Sequence, residues 1–329
     1  IDACLVGSEM CIRDRSDAAG TAWLDCGKRE WSHDLLSKSG IRQDQVPDLF
    51  EGSEPIGTLR SELAEKWGVG RNIIVVGGGG DNAVAACGVG AFREGDAFVS
   101  LGTSGVLLAA KDSFAPMPSS AVHTFCHALP DRWYQMGVIL AATDSLNWLS
   151  QLLDTDAENL SSVVGKTING PNKMQFLPYL SGERTPHNDS VIRGAILNID
   201  ITSTRGDMVQ TIMEGVSFAL RDSLEALNST GTELSQILGI GGGTQSPFWV
   251  EQLATVLNLQ IDLPEKGEFG AALGAARLAL VGTSGQDPEA IMTTPKVAKS
   301  ILPRDEFIEE YQDAYERYRK SYPALRALT

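Results

Sequence analysis

From Ser16 onward the chain alternates two hydrophobic periodicities. The short β-branched runs "NIIVV" (72–76), "QILGI" (236–240) and "QIDLP" (260–264) predict strands. "DAFVSLGTSGVLLAAK" (96–111) predicts two strands joined by a tight Gly-Thr-Ser-Gly turn. Helical patterns lie between them. From Asp207 to Asn228 the residues Val209, Ile212, Met213, Val216, Leu220, Leu224 and Leu227 recur at spacings of three and four, the stripe of an amphipathic helix. "DNAVAACGVGAF" (81–92) is rich in small residues and predicts a close-packed helix. In the C-terminal half, "QILGI", a glycine triplet, the helical "SPFWVEQLATVLN", the strand "QIDLP" and the helical "FGAALGAARLALVG" follow one another as a βαβ-type unit. Phe307, Tyr311, Tyr315 and Tyr318 form one stripe in residues 304–326, which reads as packing. The class is α/β.

Three glycine turns interrupt these elements, at residues 77–80, 102–105 and 241–243. Each glycine gives up side-chain contacts and costs backbone entropy, so the run of four before Asp81 implies that something approaches the backbone closely. Alone, each turn is weak, because a glycine pair after a strand is more often a plain turn than a nucleotide site. No G-x-x-x-x-G-K-[ST] loop is present, and "GGGGDN" lacks the context of a dinucleotide-binding fold.

Composition narrows the field. A length of 329 residues suggests two domains, and 43% hydrophobic with 21% charged residues is ordinary for a soluble globular protein. The net charge of -15 argues against a nucleic-acid partner, and no apolar stretch is long enough for a membrane span. The five cysteines, Cys4, Cys11, Cys26, Cys87 and Cys126, are odd in number and lack paired metal spacing, which fits reduced thiols in a cytoplasmic enzyme. His123, His127 and His187 lie in "HTFCH" and "RTPHN" without a matching carboxylate or thiol pattern. They read as structural, so no metal ligand is assigned.

The combination of motifs says more than any one. "SDAAGTAWLD", "EGSEPIGTL", "GGGGDNAVAACGVG", "SLGTSGV", "HTFCHALPDRWYQMGV", "FLPYLSGERTPHN", "RGAILNI", "EGVSFALRD", "GGGTQSPFW" and "GAALGAARLA", in this order from Ser16 to about Val281, resemble the FGGY carbohydrate kinases, most closely the branch that acts on D-xylulose. The resemblance implies an actin-like ATPase fold of the ribonuclease H type, with the site between two domains. It also implies phosphorylation of D-xylulose to D-xylulose 5-phosphate by ATP with Mg²⁺.

On the same resemblance Asp81 is the general base that takes the proton of the attacking sugar hydroxyl, and Asn82 hydrogen-bonds a sugar hydroxyl. Phosphoryl transfer needs an oriented, deprotonated acceptor, while the remaining stabilisation is positional and electrostatic. The bland alternative makes Asp81 a helix N-cap. Thr103 in "LGTSG" matches the loop that meets the γ-phosphate; its alternative is a hairpin turn with no ligand. Gly242, Gly243 and Ser246 match the adenosine motif, although many relatives carry Ala-Arg where this chain has Thr244 and Gln245. Thr143 and Asn147 in "AATDSLNWL" are expected near the nucleotide, against the alternative of an exposed helix face.

Residues 1–15 have neither the basic start nor the apolar stretch of a signal peptide and are expected to be a non-native leader. Residues 16–92 are expected to be the C-terminal part of the first, sugar-binding domain, and 93–329 the whole ATP-binding domain with a C-terminal helix. No D-x-G-T-like phosphate turn of the first domain is found. The chain is therefore expected to be N-terminally truncated, to lack turnover by itself, and to show uncovered apolar surface around "NIIVV". A homodimer is expected from resemblance alone. Two rival readings stay open: another kinase of the family, acting on ribulose, gluconate or glycerol, and a noncatalytic sugar- or nucleotide-binding module.

Overall fold

The computed structural model describes residues 12–265 and 270–328. Its centre is a mixed seven-stranded sheet. In spatial order the strands are Val297–Ile301, Gln260–Pro264, Gln236–Ile240, Ala97–Leu101, Gly105–Lys111, Trp133–Ile139 and His123–Cys126. The second, third and fourth run parallel, and every other pairing is antiparallel. The βαβ unit read from the sequence is therefore present, with the helix Pro247–Leu257 between the parallel strands Gln236–Ile240 and Gln260–Pro264. The two strands of 96–111 form a hairpin in which Leu101 pairs with Gly105 across residues 102–104.

Both faces of this sheet are covered, as the alternation of its side chains requires. Val99, Leu101, Leu107, Ile237 and Ile261 enter one core with the helices Thr143–Leu152, Arg205–Asn228, Pro247–Leu257 and Ile308–Arg326. Phe98, Leu108, Met136, Val138 and Leu238 enter a second core with the helix Asp81–Val89 and the helix Ala271–Ser284. The long helix starts two residues before the expected Asp207. Thr204 accepts from the Asp207 amide at 3.1 Å, and the Asp207 carboxylate accepts from the Thr204 amide at 2.9 Å. This reciprocal cap fixes the helix start. In the C-terminal stripe Tyr311, Tyr315 and Tyr318 are buried in the first core, whereas Phe307 belongs to the 3-10 turn Asp305–Phe307 that precedes the helix.

The N-terminal segment carries three two-stranded ladders. Residues 12–15, set aside in the sequence with the leader, are part of this fold. Ile12–Asp14 pairs in parallel with Asp48–Phe50, and Asp14 caps the short helix Arg15–Ala18 through the Asp17 amide at 2.8 Å. The remainder of the expected leader, residues 1–11, lies outside the described residues. Ile74–Val76 forms an antiparallel ladder with Pro55–Thr58, and Ile73, Ile74 and Val75 are 41%, 41% and 39% exposed. No helix among the described residues is long and apolar enough to cross a membrane.

The helix Asp81–Val89 meets the helix Ala271–Ser284 backbone to backbone. A Cβ on Gly274 would sit 1.7 Å from the Val84 carbonyl oxygen, and one on Gly88 would sit 2.7 Å from the Gly270 carbonyl oxygen. The small residues of "DNAVAACGVG" and "GAALGAARLA" are what this approach demands. Arg277 completes the joint by donating to the Cys87 and Gly88 carbonyls at 3.0 and 2.9 Å. Gly274→Ala is expected to lower the unfolding free energy by at least about 1–3 kcal/mol, the cost of overpacking against backbone that cannot turn aside. Gly20→Ala, with nothing within 4 Å of its added methyl, should lose less than that. Denaturant melts of the two variants decide the matter, and equal loss would show that the helices part freely.

Candidate active site

The loop before Asp81 answers why four glycines stand together. A Cβ at Gly77 would lie 2.4 Å from the Glu51 carbonyl oxygen, Gly78 has φ +79°, and a Cβ at Gly79 would lie 2.9 Å from Val84 and 3.0 Å from the Ser16 hydroxyl. The close neighbour is the chain itself. The Gly77 and Gly78 amides donate to Glu54 and Gly52 carbonyls at 3.0 and 2.9 Å, and the Gly52 amide donates to Ala128 at 3.0 Å. These bonds join the glycine loop to segment 51–54, and that segment to the loop after His127.

Asp81 itself is the first residue of its helix. Gly80 is the N-cap and offers no side chain, so the alternative of Asp81 as the N-cap is not what the structure has. The exposed Asp81 carboxylate accepts from the Asn82 amide at 2.7 Å and from Asn82 Nδ2 at 3.1 Å, so the two residues assigned to the sugar are held as a pair. Ser16 and Asp17 stand beside them. The Ser16 hydroxyl accepts from the Gly80 amide at 2.9 Å and donates to buried Asp14, while a Cβ at Gly80 would come 3.4 Å from an Asp17 carboxylate oxygen. Burial raises the Tyr134 phenol above its ordinary range, and the Asp81 and Asp17 carboxylates add to that rise. The sequence reading did not place Ser16 and Asp17 here; the "SDAAGT" motif was the available signal.

A cleft of about 650 Å³ gathers five of the expected nucleotide residues: Thr143, Asn147, Gly242, Gly243 and Ser246. Their roles differ. Gly242 has nothing within 4 Å of a would-be Cβ, whereas one on Gly243 would meet Leu101 at 2.8 Å and Thr143 at 3.2 Å. Gly243 is thus required by packing and Gly242 borders open space. The Thr143 hydroxyl donates to the Gly102 carbonyl at 2.8 Å, and Ser246 caps the helix Pro247–Leu257 by accepting from the Trp249 amide at 3.4 Å. Asn147 lines the cleft, and among the described residues its side-chain amide makes no hydrogen bond. Thr103 does not line the cleft, but its carbonyl accepts from the Ala142 amide at 2.8 Å, which ties the "LGTSG" turn to the start of the helix Thr143–Leu152. The cleft's two charged lining residues, Glu158 and Lys166, were missed in the sequence because both sit in a polar stretch with no motif.

The histidines have structural settings. His127 is fully buried; Nε2 lies 3.2 Å from the Ala91 carbonyl, Nδ1 accepts from the Leu129 amide at 3.1 Å, and burial lowers its pKa to about 4. His187 stacks on Tyr322 with ring centroids 3.5 Å apart, and burial again lowers it to about 4. Burial also lowers His123, beside Phe125.

Comparison with known proteins fits this arrangement. The FGGY family of carbohydrate kinases matches through its C-terminal domain over residues 97–283 and through its N-terminal domain over residues 1–88. The chain is 39% identical over 320 residues to the xylulose kinase of Escherichia coli (strain K12), covering 96% of this chain and 65% of that protein. The chain therefore spans a little under two thirds of the length of that curated relative. The solved xyloylose kinase from Brucella ovis superposes with a TM-score of 0.95 at 50% identity, covering 97% of this chain and 66% of that one. The gluconate kinase from Lactobacillus acidophilus superposes at 0.88 with 25% identity, covering 98% of this chain and 65% of that one. The fold is the actin-like ATPase fold of these kinases.

The "SGERTPH" segment carries a buried acid, Glu183. Its Oε1 accepts from the Arg184 and Leu140 amides at 2.7 and 3.2 Å, its Oε2 has no partner, and burial pushes the carboxyl up from its ordinary 4.5 to about 8. The folded chain holds this proton more tightly than the unfolded chain does. Its contribution is therefore complete below about pH 4.5 and is lost as pH rises towards 8, by up to about 1.4 kcal/mol per pH unit. Glu183→Gln should flatten that slope in denaturant melts between pH 5 and 8. A slope unchanged by the substitution would mean that the carboxyl is ionised in the folded chain.

Proposed function

The chain belongs to the FGGY family of carbohydrate kinases, and from that membership we propose that it serves transfer of the ATP γ-phosphate to D-xylulose, giving D-xylulose 5-phosphate. The observation that carries the reading is 39% identity to a xylulose kinase across nearly the whole chain, joined to a cleft in which five nucleotide-motif residues meet. We propose the first, sugar-binding part to be residues 16–92 and the second, ATP-binding part 93–329, a division supported by the separate family matches at 1–88 and 97–283. A cytoplasmic location is part of the same proposal.

Asp81 takes the proton of the attacking sugar hydroxyl, with Asn82 holding the carboxylate on one side and offering its amide to the sugar. The residues of the cleft fit a nucleotide. Gly242 leaves room for it, Asn147 has an unused amide, and Lys166 supplies a cation of the kind that Thr244 and Gln245 do not provide. Thr103, on the turn tied to this wall, is assigned to the γ-phosphate. Among the described residues no group of three or more His, Cys, Asp or Glu side chains is placed to hold a metal ion. No residue of this chain is assigned to Mg²⁺, and we propose that the ion enters with the nucleotide as MgATP.

The test uses a chimera completed to the length of the Escherichia coli relative, assayed by coupled ADP release over a sugar panel. D-Xylulose should be preferred to D-ribulose, gluconate and glycerol, and Asp81→Asn should cut turnover by roughly 10²-fold to 10⁴-fold while sugar and nucleotide still bind. Preference for gluconate would favour the second reading, to which the Lactobacillus acidophilus likeness points. Near-normal turnover in the variant would remove Asp81 from the mechanism. Lys166→Ala in the present chain should weaken ATP binding by roughly 10-fold to 150-fold, the loss of one charge-assisted contact of roughly 1.5–3 kcal/mol, as read by calorimetric titration. Unchanged affinity would leave Lys166 a solvated rim charge.

A further inference from the structure

Two of the cysteines lie against each other across a sequence separation of 100 residues. Cys126 ends the edge strand His123–Cys126 and is wholly buried, while Cys26 sits half-buried in the turn between Leu24–Asp25 and Glu30–Trp31. The Cys126 Sγ lies 3.6 Å from the Cys26 carbonyl oxygen, and the Cys26 Sγ lies 4.0 Å from the Leu24 carbonyl oxygen, so the two residues adjoin with both thiols against the same turn. The turn is held firmly. The Cys26 carbonyl also accepts from Trp133 Nε1 at 2.7 Å, and Asp25 accepts from the Gly27 and Lys28 amides at 3.1 Å each. Arg29 continues the joint by donating to the His127, Leu129 and Arg132 carbonyls. A thiol this close to the other cysteine's backbone oxygen puts the two residues in direct contact.

We propose that Cys26 and Cys126 form a dithiol site for hydroperoxides, which oxidise it to a disulfide that staples residues 16–28 to the central sheet. Cys26 reacts first. The neighbouring Cys126 thiol and the Arg29 charge lower the Cys26 pKa, while burial and Asp25 oppose the change. Cys126 is pushed the other way, so it keeps its proton until its turn comes. The Cys26 thiolate attacks one peroxide oxygen; the S–O bond forms, the O–O bond breaks, and the leaving oxygen takes a proton and departs as water or an alcohol. The Cys126 sulfur then attacks the sulfenic sulfur; the S–S bond forms, the S–O bond breaks, and water carries away the thiol proton. Two electrons pass from the two thiols to one hydroperoxide, and a small dithiol restores the reduced pair. The third described cysteine, Cys87, is a built-in control, since burial pushes its thiol up to about 12.

The whole chain, fully reduced, is titrated with hydrogen peroxide, quenched with a thiol-alkylating agent and digested without reductant. Tryptic peptides 16–28 and 112–132 carry one cysteine each. They should appear as one cross-linked species that grows with peroxide and vanishes with dithiothreitol, while Cys87 remains alkylated. Cys26→Ser should abolish the species and leave Cys126 reduced. Cys126→Ser should leave Cys26 as a sulfenic acid that a dimedone probe traps. Three results would overturn the proposal: Cys26 passing to the sulfinic acid with no linked peptide, Cys26 reacting no faster than Cys87, or Cys26 linking to a different cysteine.

Discussion

The approach of two helices without side chains between them governs where the Asp81 carboxylate stands. The helix that begins at Asp81 lies on the helix Ala271–Ser284 so closely that a methyl on Gly274 would collide with the Val84 carbonyl. Its other side faces the sheet through Val84, Cys87 and Val89, in a core shared with Phe98, Leu108 and Met136. A helix confined on both sides this way has no freedom to slide or roll, so the carboxylate at its first residue is set by packing made elsewhere. Side chains in close-packed interiors transmit such constraints because there is no slack volume to absorb them.

The loop ahead of that helix is built on the same rule. Gly77, Gly78 and Gly79 lie against Glu51, Gly52, Val84 and Ser16, and the Ser16 hydroxyl bridges Asp14 to the Gly80 amide. The glycine run therefore serves the fold first. It brings the chain to the start of the helix with the Gly77 and Gly78 amides on neighbouring carbonyls and the Gly80 amide on the Ser16 hydroxyl, and among the described residues the Asp81 carboxylate accepts hydrogen bonds from Asn82 alone. In the cleft the division is similar: Gly243 and Thr143 hold the wall together, while Gly242, Asn147 and Lys166 border the open space.

Much of this was legible in the sequence wherever a pattern repeats over several turns. The stripe from Val209 to Leu227 and the strand-helix-strand order of 236–264 carry their own periodicity, and both elements stand where that periodicity puts them. The hairpin at 97–111 was equally plain, since its turn residues sit between two apolar runs. What was not legible depends on contacts between distant segments. Nothing local in "GGGG" says that its neighbour is Glu51 and not a ligand, and nothing in "RSDAAG" says that Ser16 reaches Gly80, sixty-four residues away. The N-cap alternative for Asp81 arose because Asp is a frequent cap; the cap is Gly80, which the run of glycines concealed. Lys166 and Glu158 carried no signal because single charges in a polar stretch usually face only solvent.

The balance of charge bears on how such a site could receive a polyanion. With 42 acidic and 27 basic residues, the chain as a whole repels a nucleotide triphosphate at long range. The cleft is milder than the whole: among the described residues its charged lining side chains are one glutamate and one lysine. A site of this kind cannot depend on a cluster of cations, and the proposed phosphate contacts therefore fall to main-chain amides and hydroxyls at the turns around Thr103 and Gly242. Those dipoles are fixed by the fold: Thr143 is bonded to Gly102, Ala142 to Thr103, and Gly241 lies against Leu101. Donors that are already oriented need little rearrangement when charge arrives, which makes neutral groups effective where the surrounding field is unfavourable. The tight glycine packing and the weakly charged cleft thus express one design, in which the backbone is brought close enough to do what side-chain cations do elsewhere.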